Sequence, residues 1–385
     1  MNPLKSKTAE YAEDTEKDRD VTTFLDKIEA GTELTREDLV AMLSLEDEDD
    51  LKRLYRVAYR IKEKEVGTRA YFRGLIELSN ICEKDCYYCG IRKSNHAVKR
   101  FLMGEEEIVE TALWVHEQNY GSLVLQAGEM KSPRFTEMIE RVLSTIREKT
   151  GDKLRVTLSL GEQDEATYAR WRAAGAHRYL LRIETSNRAL YKRLHPEDHD
   201  YDIRLQALDA LRRTGYQVGT GVMIGLPFQT IQDLADDILF FKARDIDMIG
   251  MGPYIPHHDT PLPGLAQGEF VFDPERQLRL GLKMIAATRI FLRDVNIAAT
   301  TALQALHPQG RELGLEAGAN VIMPNATDTQ YRESYQLYDG KPCLDENSGQ
   351  CRGCLQHRVE FIGETIGFDE WGDSPHFVRR TALVQ

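Results

Sequence analysis

Tyr71-Phe-Arg-Gly-Leu-Ile-Glu-Leu-Ser-Asn80-Ile-Cys-Glu-Lys-Asp-Cys86-Tyr-Tyr-Cys89-Gly90 runs from a β-rich segment straight into three cysteines on one short loop. The β-rich texture recurs downstream. Short runs at Phe72–Leu78, Leu123–Gln126, Leu154–Ser159, Arg178–Glu184, Gln217–Ile224, Asp247–Gly252, Asn296–Thr301 and Asn320–Pro324 alternate with helical patterns such as Phe135–Glu148, Arg204–Arg213, Leu234–Lys242 and Gln277–Leu292. Alternation of this kind builds parallel β/α units. Eight units predict an α/β fold, a closed (βα)8 TIM-type barrel over residues 68–325, with an open doubly wound sheet as the alternative.

Outward from the barrel, residues 1–20 are polar and aperiodic, and a disordered or frayed tail is expected there. Residues 21–67 read as a helical N-terminal extension, because Thr35 and Asp38 form a capping-box pattern and Leu51, Leu54, Tyr55, Ala58 and Ile61 recur at helical spacing. Residues 326–385 form a C-terminal segment with three further cysteines. A chain of 385 residues with 42% hydrophobic content buries a large core. Its net charge of −12 provides no footprint for nucleic acid. No apolar run reaches the roughly 20 residues of a membrane span, and the N-terminus is not signal-like, so a cytoplasmic protein is expected.

Polar residues fall where such a barrel assembles its active site, at the carboxyl-terminal ends of the strands. They include Asn80, Gln126, Glu129, Thr157, Ser159, Arg182, Glu184, His257, Asp259, Thr300, Thr301 and Asn325. The six cysteines split into Cys82, Cys86, Cys89 and Cys343, Cys351, Cys354. In a chain of this kind, metal binding is a better reading than disulfides. Three thiolates directly after a strand leave one iron of a four-iron cluster without a protein ligand. The competing reading is a zinc site completed by His96.

The three-and-two spacing of Cys82, Cys86 and Cys89, with Tyr88 before the third, resembles the radical S-adenosylmethionine (SAM) superfamily. That resemblance implies a 4Fe-4S cluster on these cysteines, with SAM on the open iron. Ala127-Gly128-Glu129 is similar to the element that meets the methionine amine, with Ala in place of the first Gly. Glu184 and Arg204 are implied for the ribose or ammonium group and for the carboxylate, and Tyr88, Ser159 and Met223 complete the expected cofactor contacts. For Arg204 the bland alternative is a solvated helix charge.

Over residues 68–370 the chain resembles the HydE family of iron–iron hydrogenase maturases. The likeness lies in Arg73–Asn80, Cys89–Arg92, Val124–Glu129, Tyr179–Thr185, Gly219–Pro227, Gly252–His257, Asn320–Asn325 and Tyr335–Cys343. Ile183, Phe228 and Ala298 depart from the pattern. This resemblance implies a small organometallic substrate carrying carbon monoxide, cyanide and cysteine, the partner maturases HydG and HydF, and an electron donor such as a ferredoxin or flavodoxin. Gln126, Thr157, Arg182, Thr300, Thr301, Met323, Tyr335 and Tyr338 are the candidate substrate wall, inside a chamber capped by loops and the N-terminal extension. Cys343, Cys351 and Cys354 resemble an accessory site for a 2Fe-2S cluster; zinc completed by His357 is the alternative, and either would be peripheral. Rivals are a methylornithine synthase-like mutase, a biotin synthase, which needs additional barrel cysteines, and a non-catalytic iron–sulfur or zinc scaffold.

Overall fold

The computed structural model describes residues 24, 26–28 and 31–383. The tail expected at 1–20 lies outside them. Among the described residues eleven strands follow one another: β1 (Arg69–Ser79), β2 (Ser122–Ala127), β3 (Arg155–Ser159), β4 (Ala176–Leu180), β5 (Gln217–Thr220), β6 (Met223–Ile224), β7 (Met248–Ile249), β8 (Gly252–Pro253), β9 (Asn296–Ile297), β10 (Val321–Ile322) and β11 (Thr365–Ile366). Eight of them form a curled parallel path in the order β10-β1-β2-β3-β4-β5-β7-β9. Each predicted run contributes one strand to that path. The closed cylinder does not follow: the path is an open half-barrel whose end strands meet only at an isolated bridge, Ala298 to Val321. Two backbone hydrogen bonds flank that bridge, Asn320 N–H to Ile297 O and Ala299 N–H to Val321 O, each at 2.9 Å, and no ladder extends from it. The runs at 217–224 and 247–252 each break in two, and their outer halves, β6 and β8, pair as a separate ribbon.

The helices follow from local chemistry. Pro133–Thr150 begins at Ser132, whose hydroxyl accepts from Phe135 N–H, and it ends at left-handed Gly151. Its Phe135, Ile139, Val142, Leu143 and Ile146 are buried on one face. Thr35 and Asp38 form the expected capping box at the start of Arg36–Ser44, and Asp47 caps Glu48–Glu65. These two helices pack on Ile231–Ala243 and Pro274–Leu292 in the outer layer. They do not cap the mouth, a correction to the expectation, since burying Leu51, Leu54, Ala58 and Ile61 requires an apolar partner rather than an open cavity.

The C-terminal segment does two jobs. Its first part crosses the mouth, where Leu337 O accepts from Gly90 N–H at 3.0 Å and Asp339 N–H donates to Pro256 O at 3.1 Å. Its last part stops the opposite end. β11 joins the start of β1, and Gly372 O accepts from Arg73 Nη2 at 3.1 Å and from Asn296 Nδ2 at 2.8 Å. Asp373 pairs with buried Arg178 and with His177. Although burial opposes ionisation, His177 and Arg178 hold Asp373 well below the usual carboxylate range. No helix among the described residues is long and apolar enough to cross a membrane.

Candidate active site

The loop after β1 is held from three sides. Glu83 N–H donates to Glu129 O at 2.8 Å, Tyr87 N–H to Leu194 O at 2.9 Å, and Gly90 N–H to Leu337 O. Glu129 N–H donates to Cys82 Sγ at 3.3 Å. Gly128 makes this approach possible, because a Cβ there would lie 2.3 Å from Ile81 O and 2.7 Å from Cys82 Cβ. Cys82, Cys86 and Cys89 all face a cavity of about 320 Å³.

The thiol spacing bears on the choice between the two metals. Tetrahedral zinc with bonds of about 2.3 Å would draw its sulfurs to about 3.8 Å of one another. Among the described residues, the groups whose ligand atoms all lie within 4.8 Å are Cys86–His195–His199, His257–His258–Asp259 and Cys343–Glu346–Cys351. The triad of Cys82, Cys86 and Cys89 is not such a group. His96 is exposed and does not line the cavity. At least one pair of these cavity-facing sulfurs is therefore more than 4.8 Å apart, wider than a single zinc would hold all three.

Beside the thiols lies a buried charge network. Arg204 is buried at 7% exposure, which removes the solvated-helix reading. Its Nε donates to Glu162 Oε1 at 2.5 Å and its Nη1 to Arg182 O at 2.5 Å. Lys84 Nζ donates to Glu162 Oε2 at 2.9 Å, and Glu129 Oε2 accepts from Glu162 N–H at 2.8 Å. Burial opposes ionisation of Glu162, yet the Arg204 and Lys84 cations hold it at about 2. Glu184 sits in the left-handed region at φ 68°, a strained conformation for a non-glycine residue and a frequent mark of a functional position. Met223 N–H donates to its carbonyl at 3.0 Å, and Arg182 Nη2 lies 2.9 Å from its carboxylate. Burial raises Glu184, against the pull of Arg182 and Arg204.

All six expected cofactor contacts, Tyr88, Glu129, Ser159, Glu184, Arg204 and Met223, line the cavity, as do Gln126, Arg182, Thr300, Thr301, Met323, Tyr335 and Tyr338. Thr157 does not. It sits two residues earlier on β3 than Ser159, one layer below the cavity, and its buried Oγ1 has no hydrogen-bond partner. Gln126 Nε2 donates to Tyr335 OH at 3.0 Å. Lys341 Nζ donates to Glu77 Oε1 at 2.5 Å and to Tyr335 O at 2.8 Å. Arg311 Nη2 donates to Thr301 Oγ1 at 3.2 Å, while Arg311 Nε and Nη1, Arg182 Nε and Thr300 Oγ1 are buried without partners. Unpaired buried donors cost free energy and mark a place for a polar ligand or water. The sequence reading missed Lys84, Glu162, Arg311, Lys341 and Glu77. Glu162 had a usable signal in its position just after the β3 end, and Lys84 in its place between Cys82 and Cys86.

The second cysteine group is not a symmetrical triad. Cys343, in the left-handed region at φ 63°, lines the cavity. It groups with Glu346 and with Cys351, buried in the first turn of Ser348–Phe361. Cys354 is exposed and outside that group, and His357 is exposed with its ring bonded to Gly353 O. In this structure Glu346 rather than Cys354 lies beside Cys343 and Cys351, and Cys343 shares a wall with the cavity. Hydrogen bonding with Cys343 pulls the Cys351 thiol below its ordinary value.

Residues 76–241 match the family model of the radical SAM superfamily. The chain is 45% identical over 91% of its length, and over 96% of the relative, to the [FeFe] hydrogenase maturase subunit HydE of Thermotoga maritima. It is 26% identical to the 3-methylornithine synthase of Methanosarcina acetivorans over 89% of this chain and 93% of that one. A crystal structure of methylornithine synthase superposes with a TM-score of 0.76 at 26% identity, covering 89% of this chain and 97% of the other. With near full-length identity of this degree and the cysteine loop placed at the cavity, the chain is a radical SAM enzyme and belongs to the HydE family of [FeFe] hydrogenase maturases.

Proposed function

We propose that this enzyme matures the iron–iron hydrogenase active site by radical chemistry on a small iron complex bearing carbon monoxide, cyanide and cysteine. When bound, a 4Fe-4S cluster and SAM supply the electron and the 5′-deoxyadenosyl group for a radical. Cys82, Cys86 and Cys89 would hold three irons and leave the fourth open. Glu129 would accept from the methionine ammonium, and Arg204, with N–H groups left on Nη1 and Nη2, would meet the carboxylate. Glu184, Ser159, Tyr88 and Met223 would form the rest of the cofactor bed. Residues 68–325 form the catalytic unit in this reading, 21–67 an outer extension, and 326–385 the segment that covers the mouth and carries the second metal, a 2Fe-2S cluster or zinc.

One observation carries the reading: the thiols share one cavity with Arg182, Thr300 and Arg311, each of which has a buried polar atom without a partner in the protein. Anionic cyanide and carboxylate groups match those donors. Strands and the crossing segment at 334–341 cover part of the cavity, and shielding from water there would protect a radical from quenching. HydG would supply the substrate and HydF would take the product in the cytoplasm, with a ferredoxin or flavodoxin as electron donor. The test is anaerobic reconstitution: a four-iron spectrum that changes on adding SAM, and 5′-deoxyadenosine formed with dithionite, are expected. A fully active zinc-only preparation would refute the cluster. Restoration of hydrogenase in a maturation mixture lacking only HydE tests the substrate.

A further inference from the structure

His195 and His199 stand behind the second cysteine of the loop, on the turn between helices Arg188–Leu194 and Tyr201–Arg213. Both imidazoles are buried, and their contacts assign the ring protons. Asp85 N–H donates to His199 Nε2 at 3.2 Å, so that nitrogen is an acceptor and the proton of the neutral ring sits on Nδ1. The exposed Asp198 carboxylate lies 3.7 Å from the same nitrogen, beyond hydrogen-bond range. Nδ1 in turn lies 3.8 Å from Cys86 Sγ. His195 is wired the other way: Nδ1 lies 2.8 Å from Tyr191 O and must donate, leaving Nε2 to accept from Tyr88 O–H at 3.2 Å. Tyr191 stacks on His195 at 4.0 Å, and His195 lies 5.5 Å from His199.

We propose that His199 is a positioning residue for the cluster, donating its Nδ1–H to the Cys86 thiolate and raising the reduction potential. Hydrogen bonds to ligand sulfurs are among the protein's levers on that potential. Reduction adds negative charge, so a donor aimed at sulfur favours the reduced state more than the oxidised one. Cys82 receives a backbone N–H from Glu129 instead, which no side-chain substitution removes. Cys86 is therefore a ligand with a side-chain donor, His199, that a substitution can remove.

This rests on the cluster assignment proposed above, and the experiment separates the two. Full-length protein is reconstituted anaerobically and titrated redox-potentiometrically without SAM, with the reduced cluster followed by electron paramagnetic resonance. His199→Leu keeps bulk and loses the donor; His199→Asn keeps a donor near the Nδ1 position. The leucine variant should shift the reduction equilibrium about tenfold towards the oxidised state, about 60 mV more negative for one electron, and the asparagine variant should stay with wild type. Iron lost from the leucine variant alone would support the same donor role. Equal potentials in all three proteins, or equal iron loss in both variants, would overturn it and leave His199 a packing residue. Wild type that holds zinc on Cys86, His195 and His199, with no four-iron signal, would overturn both readings.

Discussion

Arg204→Met removes the guanidinium while keeping much of its bulk, and it takes away the shortest partner of a buried carboxylate. Glu162 is 2% exposed and held at about 2 against an ordinary 4.5. At about 1.4 kcal/mol per pH unit, that depression amounts to about 3 kcal/mol of folded-state stabilisation. Arg204 and Lys84 share it. Removing one partner of a buried ion pair costs on the order of 3–5 kcal/mol, and because Lys84 remains 2.9 Å away the expected loss is about 2 kcal/mol. The folded-state value is depressed, so this stability is fully present above pH 4.5 and is lost as pH falls from 4.5 towards 2. Urea denaturation of the cluster-free chain, followed by circular dichroism from pH 7 to pH 3, reads both effects. The variant should be less stable at pH 7 and should show a shallower loss below pH 4.5. A variant as stable as wild type at pH 7, with an unchanged acid slope, would refute the assignment of Arg204 to Glu162.

Gly128→Ala should leave the fold intact by circular dichroism but sharply lower iron content after reconstitution, since its Cβ would press on Ile81 O and Cys82 Cβ. Thr157→Val should raise the melting midpoint, with a gain of about 1 kcal/mol, because the hydroxyl it removes is buried without a partner; a fall would mean that an ordered water or ligand satisfies it. Cys351→Ser should remove metal from the second site while leaving 5′-deoxyadenosine yield with dithionite largely intact, and Cys354→Ser, outside the Cys343–Glu346–Cys351 group, should retain that metal. If Cys351→Ser is as inactive as Cys86→Ser with an intact first cluster, the second site takes part in turnover.

Several features were legible in the residues alone. Each of the eight runs contributes a strand to the curled path, though two of them break and send their outer halves to a separate ribbon, and the Thr35–Asp38 box starts its helix. Cys82, Cys86 and Cys89 lie within eight residues of one another, so one loop had to hold them together. Strand-end position placed Gln126, Glu129, Ser159, Arg182 and Glu184 on the cavity, because side chains near the carboxyl ends of parallel strands point into a shared mouth.

What lay beyond that reach were pairings between distant residues. Arg204 meets Glu162 across 42 residues, Lys341 meets Glu77 across 264, and the Gly372–Asp373 plug meets Arg73 across 299 and Arg178 across 195. Thr157 and Ser159 share one face of β3, yet only the second reaches the cavity, since depth within a barrel depends on how its layers stack. Helical spacing offered Cys354 as readily as Cys351, and the docking of Ser348–Phe361 buried one and exposed the other. The sequence by itself determined the units, their order and the chemistry of the first loop, because period and short spacing are local properties. The tertiary structure alone decided which charges neutralise one another, how far the ladder closes and what covers its two ends, because those depend on packing the whole chain at once.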